Sequence, residues 1–96
     1  MELTQAQKDA ATQAVNRLKE PLNVKVSKRA KSSTGQAIVK LSYNSGEEGT
    51  LAVVVRQDLT AKIVKKSANG EKEVAATGAT ALEAADSYVF SVFGRR

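Results

Sequence analysis

The sequence predicts a single α+β domain over residues 1–96, with a helix at each end and a four- to five-stranded antiparallel meander sheet between them. Three observations lead to this prediction. Apolar residues at helical spacing are confined to the two ends of the chain. The middle alternates apolar and polar residues as half-buried strands do, and turn-forming residues separate the alternating segments. We expect both helices to pack on one face of the sheet.

The first helix is predicted to begin at Thr4, because a hydroxyl there and an amide at Gln7 form the capping-box pattern. Its apolar stripe is mostly alanine, which favours close packing on another element. We expect this helix to end before Pro21, since the residue that precedes a proline is pushed out of the α region.

Four segments with strand-like alternation follow, at residues 22–27, 37–43, 51–56 and 59–66. Between the first two, the basic and polar segment 28–35 (KRAKSSTG) is expected to form a flexible loop.

Asn69 and Gly70 then predict a two-residue hairpin turn. That turn would pair Lys66 with Glu73 and add a fifth strand over residues 71–76.

The last helix is predicted from a second capping box at Thr80 and Glu83, and Gly94 is placed to end it. Arg95 and Arg96 would favour the negative end of this helix. We expect its aromatic half, which includes Phe93, to be buried against the sheet; the alternative is that this half rests on a membrane surface or a partner.

The chain has no cysteine and no histidine. Disulfides, cysteine-ligated zinc and the common nucleophile–histidine pairs are therefore excluded. Glu47 and Glu48 are adjacent in a turn, where neighbouring side chains point apart, so they do not form the carboxylate pair of a glycosidase. We predict a protein that is not an enzyme, with no catalytic residue, metal ligand or cofactor.

No secretory signal and no apolar run of about 18 residues is visible, so no membrane span is predicted. The expectation is an intracellular, cytoplasmic protein. A virion protein made inside a host cell would look the same.

The net charge is +5 and is unevenly distributed, with the basic excess in the first strands and in the segment before Gly70. Basic segments attract phosphates and acidic surfaces, although they also simply keep proteins soluble. Strand alternation assigns basic and apolar residues to the sheet face that the helices leave open. The basic residues assigned to that face or to the 28–35 loop are Lys25, Lys28, Arg29, Lys31, Lys40, Arg56, Lys62 and Lys66. The apolar residues among them are Ile38, Val54 and Val64.

Two main hypotheses follow. The first is a small nucleic-acid-binding protein that contacts phosphates through this face and the loop; because Tyr43, the one strand aromatic, is predicted to face the core, little base reading is expected. The alternative is a structural, assembly or accessory protein, such as a phage or virion component, that uses the same face as a protein interface. An inhibitor-type protein is a third option. A homo-oligomer through Ile38, Val54 and Val64 is expected, and no motif identifies a family.

Overall fold

The structure, a computed structural model, describes residues 3–45 and 49–94. These residues form two helices and five strands. In chain order the elements are α1 (Gln5–Leu22), β1 (Val24–Lys31), β2 (Ala37–Tyr43), β3 (Thr50–Val55), β4 (Ala61–Lys66), β5 (Lys72–Gly78) and α2 (Ala81–Phe93). Four residues with predicted positions, Glu47, Glu48, Arg95 and Arg96, lie outside the described residues.

The five strands form one antiparallel meander in the order β1-β2-β3-β4-β5, as the sequence predicts. Both helices pack on one face of the sheet, α1 over β1–β3 and α2 mainly over β4 and β5, and they contact each other. The residues buried between helices and sheet form one core. Its largest apolar side chains include Leu18, Leu41, Leu51 and Ile63. The opposite face of the sheet is therefore left without a covering element in the described part of the chain.

Helix α1 begins with the predicted capping box, in which Thr4 and Gln7 bond to each other's backbone N–H groups. The prediction that it ends before Pro21 was wrong, because the helix continues through Pro21 to Leu22. Asn23 then caps it in the left-handed conformation, with φ of 55°, and donates its N–H to carbonyls of the last turn. The steric bias before proline is modest, and the packing of Leu22 against the core outweighs it.

Gln7 also joins α1 to the sheet. Its side chain is fully buried, and its Nε2 donates to the carbonyls of Gly35, at 2.9 Å, and Val55, at 3.2 Å. Its Oε1 accepts from the N–H of Thr4 at 3.0 Å. Because each buried polar atom of Gln7 is thus satisfied, the side chain fixes the start of α1 over the ends of β2 and β3.

Strand β1 is longer than predicted and includes residues 28–31, which were expected to lie in a loop. A bulge between Val26 and Lys28 shifts its pairing with β2 by one residue. The charged composition of 28–31 indicated a loop, but β1 is an edge strand, where exposed lysines are common. The connection to β2 is correspondingly short.

Three of the hairpin turns share one geometry. In residues 32–36, 56–60 and 67–71, the first residue's N–H donates to the fifth residue's carbonyl, and the fourth residue's N–H donates to the first residue's carbonyl. This is the three-residue hairpin loop that combines a type I turn with a bulge. The fourth residue has a positive φ in each turn: 79° at Gly35, 74° at Leu59 and 92° at Gly70. The prediction that the fourth strand begins at Leu59 was therefore wrong, because Leu59 lies in a turn and β4 begins at Ala61.

The turn at 67–71 changes the register of the last hairpin. With three loop residues in place of the predicted two, Lys66 lies opposite Lys72 and Lys65 lies opposite Glu73. The predicted pairing of Lys66 with Glu73 was wrong by one residue. The slip moves the side chains of residues 72–74 to the other face of the sheet. A bulge between Val74 and Ala76 ends it, so that Ala76 lies opposite Ile63 and Thr77 opposite Lys62.

Helix α2 begins after Thr80, whose Oγ1 accepts from the N–H of Glu83 at 3.1 Å, and it ends at Phe93. Its buried side is formed by three alanines and Tyr88. The prediction that the aromatic half is buried is confirmed for Tyr88 and was wrong for Phe90 and Phe93, which are 62% and 60% exposed. Alanines on the buried side let α2 approach α1 and the sheet closely, and this orientation turns both phenylalanines away from the core.

Candidate functional site

The strand register defines the face of the sheet opposite the helices, called the outer face below. Three rows of side chains cross all five strands on this face, and each row contains one residue from each strand. The first row is Ala30, Ile38, Val54, Lys62 and Thr77. The second is Lys28, Lys40, Ala52, Val64 and Val74. The third, called the polar row, is Lys25, Ser42, Thr50, Lys66 and Lys72.

Six of these fifteen described positions are lysine and none is acidic. Five of the six were predicted to be part of the candidate basic site, and the strands bring them together on one surface. Lys72 was missed, because the predicted register placed it on the helix side. The lysines of the outer face are Lys25, Lys28, Lys40, Lys62, Lys66 and Lys72.

Two lysine pairs on the outer face lie directly opposite each other on neighbouring strands, Lys28 with Lys40 and Lys66 with Lys72. Like charges in directly opposed positions destabilise a sheet. On the helix side of the same last hairpin, Lys65 lies opposite Glu73, which is a favourable pairing. Both unfavourable pairs therefore lie on the face that no element in the described part of the chain covers.

The centre of the outer face is apolar and slightly concave. Its base, called the apolar floor, consists of Ile38, Ala52, Val54 and Val64 in a groove of about 560 Å³. Val54 is only 7% exposed, while Ile38 and Val64 are partly exposed. Lys40 borders the groove on the β2 side, and lysines of β4 and β5 border it on the other. The role of Ile38, Val54 and Val64 as an oligomer interface stays a prediction.

Arg29 and Lys31, which were grouped with Lys28 in one basic loop, lie on the other side of the sheet. They pair with Val39 and Ala37, whose side chains belong to the core, so they project beside α1. With Lys8 of α1 they border a cleft of about 430 Å³ at the sheet edge. Strand alternation after the bulge in β1 therefore divides the predicted basic loop between two faces.

Arg56, also predicted for the basic face, follows β3 at the end of the sheet. Its Nη1 donates to the Thr60 hydroxyl at 3.0 Å. In the same turn, hydrogen bonds from Thr60 to the Asp58 carboxylate hold the pKa of Asp58 below its ordinary value, and Arg56 contributes attraction. Arg56 is thus held within its turn, at the margin of the lysine surface.

The aromatic side chains of the described residues lie off the outer face. Tyr43 contacts the core from the helix side of β2, and Tyr88 is buried. Burial raises the pKa of the Tyr88 hydroxyl above its ordinary value, and the neighbouring Tyr43 hydroxyl adds to that shift. No base-stacking platform is therefore formed on the lysine surface.

Within residues 3–45 and 49–94, the side chains of Asp and Glu form no cluster of three or more that could hold a metal ion. No helix in those ranges has the length and apolar character needed to cross a membrane. Comparison of the chain with models of protein families, with curated protein sequences and with solved structures found no match.

Proposed function

We propose that this protein is a non-enzymatic nucleic-acid-binding protein that contacts phosphates through the outer face. The observation that carries the proposal is the concentration of lysines on the sheet face that the helices leave open, where the fifteen described positions include six lysines and no acidic residue. Lysines that neutralise phosphates release the counterions condensed on the nucleic acid, which drives binding.

The chemistry of the face favours backbone contacts over base reading. Lysine is a point-charge donor that binds phosphate without the fixed fork with which arginine reads guanine. The aromatic residues on which single-strand binders stack bases are absent from the fifteen described positions of this face. Binding with little sequence preference and a steep dependence on salt follows from this composition.

The alternative is a structural or accessory protein that uses the same face as a protein interface, and the partly exposed Ile38 and Val64 favour it. Stacking two copies face to face would bring lysines against lysines, and the described positions of this face include no acidic residue to pair with them. A protein partner at this face would therefore have to be acidic.

The test is fluorescence anisotropy of labelled single- and double-stranded oligonucleotides, titrated with the protein at several salt concentrations. The double variant Lys25→Glu/Lys40→Glu reverses two charges on the outer face and is expected to abolish binding while the protein remains folded. The matched control Lys8→Glu/Lys19→Glu makes the same change in net charge on the exposed side of α1 and is expected to bind far more tightly than the outer-face variant.

Equal loss of binding in both variants would show that net charge and not this face is responsible. No binding by the unmodified protein at low salt would overturn the proposed function, and it would direct the search to acidic protein partners.

A further inference from the structure

The polar row differs from the other two rows of the outer face. It has lysines at both ends, Lys25 on one side and Lys66 with Lys72 on the other, and the hydroxyls of Ser42 and Thr50 between them. Lysine and hydroxyl groups are common donors to phosphate oxygens. Four strand spacings of about 4.8 Å give this row a length of roughly 19 Å. It therefore offers phosphate partners along a line perpendicular to the strands.

The apolar floor lies beside the polar row. Ala52 and Val64 are each two residues along their strands from Thr50 and Lys66, a distance of about 7 Å on the same face. Val54 and Ile38 lie one further row away. A chain of phosphates on the polar row would therefore place the less polar parts of the same ligand over these side chains.

On this basis, which rests on the proposed function, we infer that the ligand is a single-stranded nucleic acid. Its sugar–phosphate backbone crosses the strands along the polar row, and its nucleosides lie on the apolar floor. A single strand can present its bases to an apolar surface, because they are not paired inside a helix.

A duplex fits the same surface poorly. The major groove of B-DNA is about 12 Å wide and admits a helix or a two-stranded ribbon, whereas the five strands here extend over roughly 19 Å. The sheet would contact a duplex from outside, through phosphates alone, and the apolar floor would face charged groups. The apolar floor would then bury no apolar surface on binding and would contribute nothing to the affinity.

The test compares a labelled oligothymidylate with a duplex of equal length at the same low salt concentration. We expect the unmodified protein to bind the single strand at least about tenfold more tightly, since the single strand alone makes both apolar and phosphate contacts. Val64→Thr replaces a methyl group of the floor by a hydroxyl of similar size. It is expected to weaken single-strand binding about fourfold, as the loss of one buried methylene does, and to leave duplex binding unchanged. Val92→Thr, at an exposed site on α2, is the matched control.

A second pair of variants tests the polar row. Lys66→Ala removes a cation of the row, and Lys65→Ala removes the neighbouring cation that projects from the other side of β4. For the single strand, log K decreases as log salt increases. The slope is expected to become less negative by about 0.7 in Lys66→Ala, as for one lost phosphate contact, and to change little in Lys65→Ala.

The outcomes separate this inference from the proposed function. If the duplex binds as tightly as the single strand and Val64→Thr has no effect, the single-strand inference is overturned and nucleic-acid binding stands. If neither nucleic acid binds at low salt, both the single-strand inference and the proposed function are overturned. Equal effects of Lys65→Ala and Lys66→Ala would overturn the placement of the backbone on the polar row.

Discussion

Replacing Lys72 by glutamate is expected to stabilise the folded protein while it weakens nucleic-acid binding. Lys72 lies on the edge strand β5, directly opposite Lys66 on the outer face. A directly opposed pair of charges contributes roughly 0.2–1 kcal/mol, unfavourable when the charges are alike and favourable when they differ. Because both side chains are exposed to solvent, the lower part of that range applies. The exchange should raise the free energy of unfolding by about 0.5–1 kcal/mol, which corresponds to a rise in Tm of about 4 °C.

The assay is urea unfolding followed by circular dichroism, at low and at high salt. Lys65→Glu is the control, because it places a glutamate opposite Glu73 on the other face of the same hairpin and should lower stability by a similar amount. Both effects should shrink at high salt, where surface charges are screened. A lower stability of Lys72→Glu at low salt, or a shift of both variants in the same direction, would refute the register-based argument.

Three further changes test the packing that supports the outer face. Gln7→Leu should lower the free energy of unfolding by about 3 kcal/mol in urea unfolding, because two backbone carbonyls lose their donor inside the core. Gly78→Ala should cost about 2 kcal/mol or more in the same assay, since a Cβ there would lie 2.5 Å from the N atom of Ala84. Tyr88→Phe should cost about 1 kcal/mol at neutral pH. Because the folded protein holds the pKa of Tyr88 above its ordinary value, the advantage of tyrosine should persist up to about pH 10 and decline at higher pH, as unfolding measured across that range would show.

Local patterns were sufficient to predict the order of elements and both helix starts. The capping residues Thr4 and Thr80 act within one turn of chain, and alternation acts within one strand, so neither depends on distant contacts. The errors arose where distant packing decided the outcome. Pro21 remains helical because the residue after it packs on the core, and residues 28–31 become a strand because β2 lies beside them.

The outer face shows the same division between local and distant causes. Lys25, Lys40 and Lys62 could be assigned to it from alternation alone. The presence of Lys72 on this face, and that of Lys28 in place of Arg29, depend on single-residue shifts in register, at a three-residue turn and at a bulge. A shift of one residue exchanges the two faces of a strand. The amino-acid composition of the segment does not indicate that such a shift occurs.

The most direct test of the central claim is NMR of the protein with ¹³C-labelled isoleucine and valine methyl groups, titrated with a single-stranded oligonucleotide. The methyls of Ile38 and Val64 lie on the outer face, whereas those of Ile63 and Val53 lie in the core on the same or adjacent strands. The account predicts that the resonances of Ile38 and Val64 shift in proportion to ligand bound, while those of Ile63 and Val53 stay nearly unchanged. Shifts confined to the helix side of the sheet, or to the exposed methyls of α2, would contradict it.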